Sequence, residues 1–241
     1  MGWIMSHYTD VGFYNFQDDA ACERTLNDIL ADRYGAPEIR GVGGGRSLCI
    51  YSLNEIRFAF LVNDATKEAI EFEIGHRGAP STGVNAKWVS GTFGKVFRTI
   101  TVEVGGRTFY FNCLNSPAVQ LQEEWGAYDG NRVSFSAAGF AEYIEVLEPS
   151  ELYKSRYKKM AAESYSPYRR GDFCRGFVSG VVKRCAMEHN PVTQEGYLAA
   201  EVDCRGVHFK LLVDRKMPEA ALLRAGKLLR GWFWNTAVLT K

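Results

Sequence analysis

The length, composition and charge of this chain exclude several classes of protein. Its 241 residues suffice for one large domain or two small ones. With 46% hydrophobic and 13% aromatic residues it can bury a core, so intrinsic disorder is not expected. No apolar run approaches the roughly 18–20 residues of a membrane-spanning helix, and we predict no membrane contact.

The net charge of +1 conceals an asymmetry between the two halves of the chain. Residues 1–152 contain 12 Lys and Arg against 20 Asp and Glu, a net charge of −8. Residues 153–241 contain 17 against 8, a net charge of +9. The halves either neutralise each other within the molecule, which we favour, or leave a basic half that binds a polyanion such as nucleic acid.

The N-terminal residues 6–82 predict a compact β-α-β-β-β unit. A strand over Tyr8–Phe16 is followed by a helix that Asp18 or Asp19 caps, because Cys22, Leu26, Ile29 and Leu30 recur at helical spacing. The glycine-rich segment Gly41–Ser47 precedes a strand instead of opening a helix, so we interpret it as a flexible connector and not as a phosphate loop. The three remaining strands are predicted at Arg46–Leu53, Ile56–Asn63 and Ala69–Gly75.

Residues 86–148 predict a second, β-rich unit that resembles a small barrel. Its clearest feature is a hairpin that turns at Gly105-Gly106. A short helix over Pro117–Gly126 and closing strands at Arg132–Phe135 and Tyr143–Leu147 complete it. The sequence of residues 149–166 predicts a helical linker, which leads into the basic segment Tyr168-Arg-Arg170.

Residues 171–241 predict a third unit with one long first strand at Phe173–Arg184. A hairpin follows, whose second strand directs Val207 and Phe209 to one face, and then a helix near 218–225 and two short strands, Leu228–Phe233 and Ala237–Leu239. This order resembles an OB-type five-stranded barrel, a resemblance that covers residues 172–240 well and 86–148 poorly. The predicted fold class is therefore α+β, with the N-terminal unit followed by two small antiparallel β-barrel units, the last of them OB-like, joined by the helical linker.

The middle unit shows a partial internal match to the last one. Glu103-Val104-x-x-Arg107 aligns without gaps on Glu201-Val202-x-x-Arg205. Alternation and turn chemistry recur in all small barrels, so the match leaves open whether the chain contains a true duplication.

The best candidate for a binding site lies near the C-terminus. On a strand, Arg230, Trp232 and Trp234 share one face, and aromatic rings beside a guanidinium form a stacking platform for bases or sugars. His208 and Lys210 are predicted to point outward from a neighbouring strand. The competing interpretation, which we favour, buries both tryptophans against the N-terminal half, because Trp is usually largely covered.

The six cysteines predict neither a disulfide framework nor a metal site. Their scattered positions favour free thiols and a cytoplasmic protein. Cys185 and His189 have the same spacing as Cys204 and His208, which suggests a zinc quartet. A hairpin would, however, separate the two histidines by about 30 Å at ~3.3 Å per residue, so we predict no metal and no cofactor.

No motif in the sequence names a reaction. The chain has neither a G-x-S-x-G elbow nor a local signature of a catalytic cysteine. We therefore predict a non-catalytic protein that binds or scaffolds another macromolecule, with a protein partner possible and the oligomeric state open. The alternatives are single-stranded nucleic-acid binding by the basic C-terminal barrel, and an enzyme with its site between the halves.

Overall fold

The computed structural model describes residues 8–92, 97–117, 132–168 and 174–240. Within these ranges the protein is mostly β-strand, with one α-helix, α1 (Asp19–Leu30), and four short 3₁₀ helices (Thr9–Val11, Tyr14–Gln17, Pro149–Lys154 and Pro218–Leu222). The strands are β1 (Glu38–Gly43), β2 (Arg46–Leu53), β3 (Ile56–Asn63), β4 (Ala69–His76), β5 (Ala79–Thr92), β6 (Phe97–Val104), β7 (Arg107–Pro117), β8 (Arg132–Leu147), β9 (Ser164–Pro167), β10 (Arg175–His189), β11 (Gly196–Cys204), β12 (Val207–Val213) and β13 (Leu228–Thr240). No helix in the described ranges is long and apolar enough to cross a membrane.

The N-terminal part is an antiparallel sheet in the order β1-β2-β3-β4, with α1 packed on one face. The helix starts as the sequence predicts, because the Asp18 carboxylate accepts the Ala21 N–H at 2.9 Å and satisfies one free donor of the first turn. Cys22 and Ile29 are buried against the sheet. The predicted connector at Gly41–Ser47 is only partly correct, because its first residues belong to β1, which pairs with β2.

The predicted strand at Tyr8–Phe16 is wrong. This segment forms two 3₁₀ turns, and Gly12 between them adopts a left-handed conformation with φ of 80°. A Cβ at Gly12 would lie 2.8 Å from the Glu195 carbonyl oxygen, so a side chain there would clash with the barrel. Val11 and Phe13 are fully buried, which explains why an alternation of apolar residues can be mistaken for a strand.

A closed five-stranded barrel forms the C-terminal part, with the strand order β10-β11-β12-β8-β13 and back to β10. Its interior contains Val207 and Phe209, as predicted, together with Phe233. The closing strands of the barrel differ from the prediction. The segments Leu228–Phe233 and Ala237–Leu239 are one continuous strand, β13, so the ring closes with β8 from upstream instead of a strand of its own.

The helix predicted near 218–225 is a single 3₁₀ turn, Pro218–Leu222. Proline at its first position fits the turn, but the segment is too short for an α-helix.

The upstream strands pair into a second ring, in the order β5-β6-β7-β13-β8 and back to β5. The predicted closing strands at Arg132–Phe135 and Tyr143–Leu147 are the two ends of the 16-residue β8. Both rings therefore contain β8 and β13, which pair with each other along almost their whole length. Most of the helix predicted at Pro117–Gly126 lies outside the described residues.

The predicted helical linker at 149–166 is also wrong. It consists of a 3₁₀ turn, further turns and the short strand β9, which pairs with β10. The Glu145 carboxylate of β8 accepts hydrogen bonds from the Ser155 hydroxyl at 2.5 Å and from the Arg156 N–H at 3.2 Å. This side chain competes with helical hydrogen bonding and fixes the linker against the barrel wall.

Candidate binding face

The three residues of the stacking platform predicted on β13 are buried or half-buried in the structure. Leu229 and Phe233 face the barrel interior, so Arg230, Trp232 and Trp234 lie on its outer side. Trp234 is 7% exposed and belongs to the core that joins the barrel to the N-terminal sheet. Burial against the N-terminal half, the interpretation favoured from sequence, is thus confirmed for Trp234, whereas Trp232 packs against the linker.

Arg230 is fully buried. Its guanidinium lies 5.3 Å from the centre of the Phe177 ring, and Nη2 donates to the Met160 carbonyl at 3.3 Å. Nε and Nη1 have no hydrogen-bond partner among the described residues. Burial lowers the pKa of Arg230, because a low dielectric disfavours the charged form. Arg230 is therefore a structural cation under the linker and not a surface ligand for phosphate.

Trp232 is half-buried and contacts three other rings. Its Nε1 donates to the Tyr157 hydroxyl at 3.0 Å. The Phe177 and Tyr168 rings meet it edge to face, with centroids 5.8 Å and 5.6 Å away. These distances are typical of favourable aromatic pairs.

The contacts of Trp232 extend into a row of partly exposed rings with a cation at each end. Tyr143 lies 6.3 Å from Tyr157 at one end, and the Arg156 guanidinium lies 5.3 Å from the Tyr143 ring. At the other end the Arg175 guanidinium lies 5.2 Å from the Tyr168 ring. We call this surface the aromatic–basic face; it comprises Tyr143, Arg156, Tyr157, Tyr168, Arg175 and Trp232.

Three strands (β8, β13 and β10), the linker and Tyr168 after β9 assemble the aromatic–basic face. Tyr143 on β8 is the direct register partner of Trp232 on β13. The linker places Tyr157 beside them, and Tyr168 directly after β9 meets the Trp232 ring. Sequence reasoning missed the three tyrosines, although a signal exists, since residues 149–170 contain six Lys or Arg and four Tyr. Aromatic residues interleaved with basic ones are typical of nucleic-acid-binding surfaces.

The charges around this face are only partly neutralised. Arg175 pairs with Glu142, and Lys227 pairs with Glu148, so acidic residues of the first half neutralise basic residues of the second. Lys158 and Lys159 are exposed and form no ion pair with a described residue. Mutual neutralisation of the halves therefore occurs at specific positions and leaves a basic excess along the linker.

Lys210 and His208 belong to a different cluster from Arg230. The Lys210 ammonium lies 2.6 Å from a Glu188 carboxylate oxygen and is 13% exposed. His208 is 56% exposed, with Nδ1 3.7 Å from Asp203. Lys210 and the His208 ring each lie beside a carboxylate of the barrel, and neither reaches the aromatic–basic face through a described contact.

Glu188 is the centre of a polar network at the junction of the N-terminal sheet and the barrel. The Tyr197 hydroxyl donates to Glu188 at 2.9 Å and lies 3.4 Å from His76 Nε2. The Gly78 N–H donates to His76 Nδ1 at 3.0 Å, so the neutral imidazole carries its proton on Nε2, 3.6 Å from Glu188.

The ionisation states of this network follow from burial and from its charges. Burial lowers the pKa of His76, which is fully enclosed. Burial opposes ionisation of Glu188, but the contacts with His76 and Lys210 outweigh it and hold the pKa at about 2. Burial and the charge of Glu188 together raise the pKa of Tyr197. The network thus contains an ionised Glu188 carboxylate beside a neutral His76 imidazole.

A polar cavity of about 280 Å³ borders this junction, lined by Glu55, Arg184, Glu188, Glu201 and Lys210. His76 has no exposed surface, so it cannot contact a molecule in the cavity. The arrangement fixes the N-terminal sheet on the barrel, and its chemistry is that of a satisfied structural network. In the described part of the chain, no three His, Cys, Asp or Glu residues are grouped to hold a metal ion.

Comparison of the chain with protein-family models, with curated proteins and with solved structures finds no match.

Proposed function

We propose that this protein binds a macromolecule without catalysis, that the aromatic–basic face is its binding site, and that the ligand is a single-stranded nucleic acid. The observation that supports the proposal is the row of partly exposed rings from Tyr143 to Tyr168, bounded by Arg156 and Arg175. Flat rings accept bases of any sequence by stacking, and cations beside them attract the phosphate backbone.

The exposed lysines of the linker are better placed to bind a phosphate backbone than the basic residues of the barrel. Lys210 is 13% exposed and paired with Glu188, and Arg230 is enclosed. Lys183 and Arg184 are exposed but have no aromatic residue beside them in the chain. Lys158 and Lys159, in contrast, lie exposed beside Tyr157 in the chain. We therefore place the proposed polyanion-binding site at the linker and not on the barrel strands.

The stacking role is tested by titration of a fluorescently labelled oligothymidylate of about 20 nucleotides, which is long enough for an OB-sized site. Loss of one ring should weaken binding by about 5- to 100-fold, because stacking contributes ~1–3 kcal/mol per base. The variants are Tyr143→Ala and Tyr168→Ala, whose rings are partly exposed. Tyr34→Ala is the matched control, because Tyr34 is also exposed but lies after α1 in the N-terminal part.

The electrostatic role is tested in the same titration at several salt concentrations. Reversing both charges with Lys158→Glu and Lys159→Glu should reduce the slope of log affinity against log salt by about 0.7 for each phosphate that these lysines neutralise. Arg24→Glu together with Arg33→Glu, two exposed positions in the N-terminal part, is the charge-matched control. Equal binding of a duplex of the same length, or ring and charge variants that bind like the parent, would contradict the proposal.

We also propose that the protein acts in the cytoplasm. The support is chemical, since the five cysteines with described side chains are free thiols, four of them buried. Reduced thiols persist in a reducing compartment.

A further inference from the structure

A groove of about 450 Å³ lies between α1 and β4 in the N-terminal part of the chain. One wall is helical, because Cys22, Leu26 and Leu30 recur at four-residue spacing and share a face of α1. Phe60 and Phe72 form its floor. The groove therefore has the apolar surface that a binding site needs.

The groove reaches the free edge of the sheet. Ala69, Glu71 and Phe72 line the groove, so it borders β4 along the first part of that strand. Of the described strands, β3 alone pairs with β4, which is last in the sheet order. Ile70 on this strand is 48% exposed. An unpaired strand edge presents free N–H and C=O groups to another chain.

The rim of the groove is acidic. Asp19 and Glu23 lie four residues apart on the exposed side of α1, and Glu71 on β4 lies on the sheet face opposite Phe72. Residues 8–82 as a whole contain 12 Asp and Glu against 7 Lys and Arg. A ligand of positive charge is therefore favoured at this site.

We propose that this groove binds an extended basic segment of a partner protein, which adds to β4 as a fifth strand of the N-terminal sheet. Alternate apolar side chains of the segment enter the groove against Leu26 and Phe72, and the intervening Lys or Arg side chains lie on the other face of the sheet, beside Glu71. Main-chain hydrogen bonds to a sheet edge supply affinity in this mode, and the alternate side chains supply specificity. This site is independent of the aromatic–basic face and of the nucleic-acid proposal.

The experiment uses the full chain and a labelled heptapeptide of alternating Lys and Val, followed by fluorescence anisotropy. Two matched peptides separate the contributions, one of alternating Lys and Ser, and one Lys–Val peptide with alternate backbone nitrogens methylated. We expect binding of the Lys–Val peptide that weakens with salt, and about tenfold weaker binding of each matched peptide. The first lacks apolar side chains, and the second lacks the hydrogen-bond donors of one strand edge.

Protein variants assign the binding to the groove. The pair Glu23→Lys and Glu71→Lys should weaken Lys–Val binding by about tenfold or more, because both rim charges are reversed. Glu163→Lys, an exposed position on the linker, carries the same kind of charge change and should bind like the parent. The proposal is overturned if the Lys–Ser or methylated peptide binds as tightly as the Lys–Val peptide, or if the rim variants do not alter the affinity.

Discussion

At the scale of single residues, Asp10 is a buried carboxyl with one oxygen that no described residue satisfies. It lies in the first 3₁₀ turn and is 2% exposed. One carboxyl oxygen accepts the Asp214 N–H at 3.2 Å, and the other has no hydrogen-bond partner among the residues described. Burial, and then the negative charge of Asp214, raise the pKa of Asp10 well above its ordinary value. The folded protein therefore keeps this carboxyl protonated to a higher pH than the unfolded chain does.

Replacing Asp10 by Asn should make the protein more stable at neutral pH. The unfolded chain releases the Asp10 proton above about pH 4, whereas the folded chain retains it, so the parent loses stability as the pH rises. Asn keeps an acceptor for the Asp214 N–H and does not titrate. Urea unfolding at about pH 4 and about pH 7.5 should show an advantage of the variant only at the higher pH. Parallel pH dependences of the two proteins would contradict this assignment.

His76 should give the opposite pH dependence. Burial lowers its pKa in the folded state, so the unfolded chain takes up the proton first and stability falls as the pH drops below about 6.5. In His76→Asn the side-chain oxygen can still accept the Gly78 N–H, but no group titrates in this range. The variant should be less stable than the parent at neutral pH, because Nε2 no longer meets Tyr197 and Glu188, and the difference should shrink toward pH 5. A histidine resonance of the folded protein that titrates near its ordinary pKa, if assigned to His76, would refute the prediction.

At the scale of elements, the sequence predicts those parts whose signals are local. The helix α1 has a capping carboxylate and helical spacing, and both are present in the structure. The hairpin at Gly105-Gly106 has its turn residues in the sequence. The helix predicted in the linker does not form, because Glu145 from β8 accepts the Arg156 N–H, and the Ser155 N–H bonds to the Leu152 carbonyl in a 3₁₀ turn.

The middle of β8 was missed for a packing reason. Residues 136–142 are rich in Ala and Gly, which have low strand propensity. They are small because other segments pass close by: a Cβ at Gly78 would lie 2.4 Å from the Ala137 carbonyl, and one at Gly139 would lie 2.8 Å from Leu211. Such constraints come from tertiary packing and have no local sequence signal.

Gly231 on β13 should be intolerant of any side chain. A Cβ there would lie 1.9 Å from the Tyr143 carbonyl oxygen of β8, far inside contact distance. Gly231→Ala should destabilise the protein by about 3 kcal/mol or prevent folding, because the two strands must separate or shift register. Gly41→Ala, where no described atom lies within 4 Å of the added Cβ, is the control and should cost no more than about 0.5 kcal/mol. Thermal unfolding of the two variants measures the difference, and similar melting temperatures would contradict the assigned β8–β13 register.

At the scale of the whole molecule, the two rings have matching connectivity. Each contains three consecutive antiparallel strands, and the third pairs in parallel with the long strand of the other half: β12 with β8, and β7 with β13. The hairpin turns correspond at Gly106 and Gly206, with Phe109 and Phe209 at equivalent positions and both fully buried. The sequence alignment pairs Glu103 with Glu201, whereas the structural match pairs Glu103 with Asp203, two residues further on. This shift keeps each side chain on the same face of its strand, and only the structural match aligns the two hairpin turns. The hypothesis of a duplication is therefore supported by an alignment in which both the hairpin turns and the buried phenylalanines coincide.

The interlocked rings lead to a prediction about fragments. Residues 171–241, predicted from sequence as a self-contained barrel, contain β10 to β13 but not β8. Without β8 the strands β12 and β13 each have an unpaired edge, and core residues such as Leu211 and Phe233 lose a wall of the barrel. This fragment alone should be unfolded or aggregated, with little strand signal by circular dichroism and poor dispersion by NMR. A fragment of residues 132–241 restores the ring and should give a strand spectrum, and adding a peptide of residues 132–147 to the shorter fragment should produce part of the same change. A shorter fragment that folds cooperatively by itself would show that β13 can close the barrel without β8, and would restore the boundary predicted from sequence.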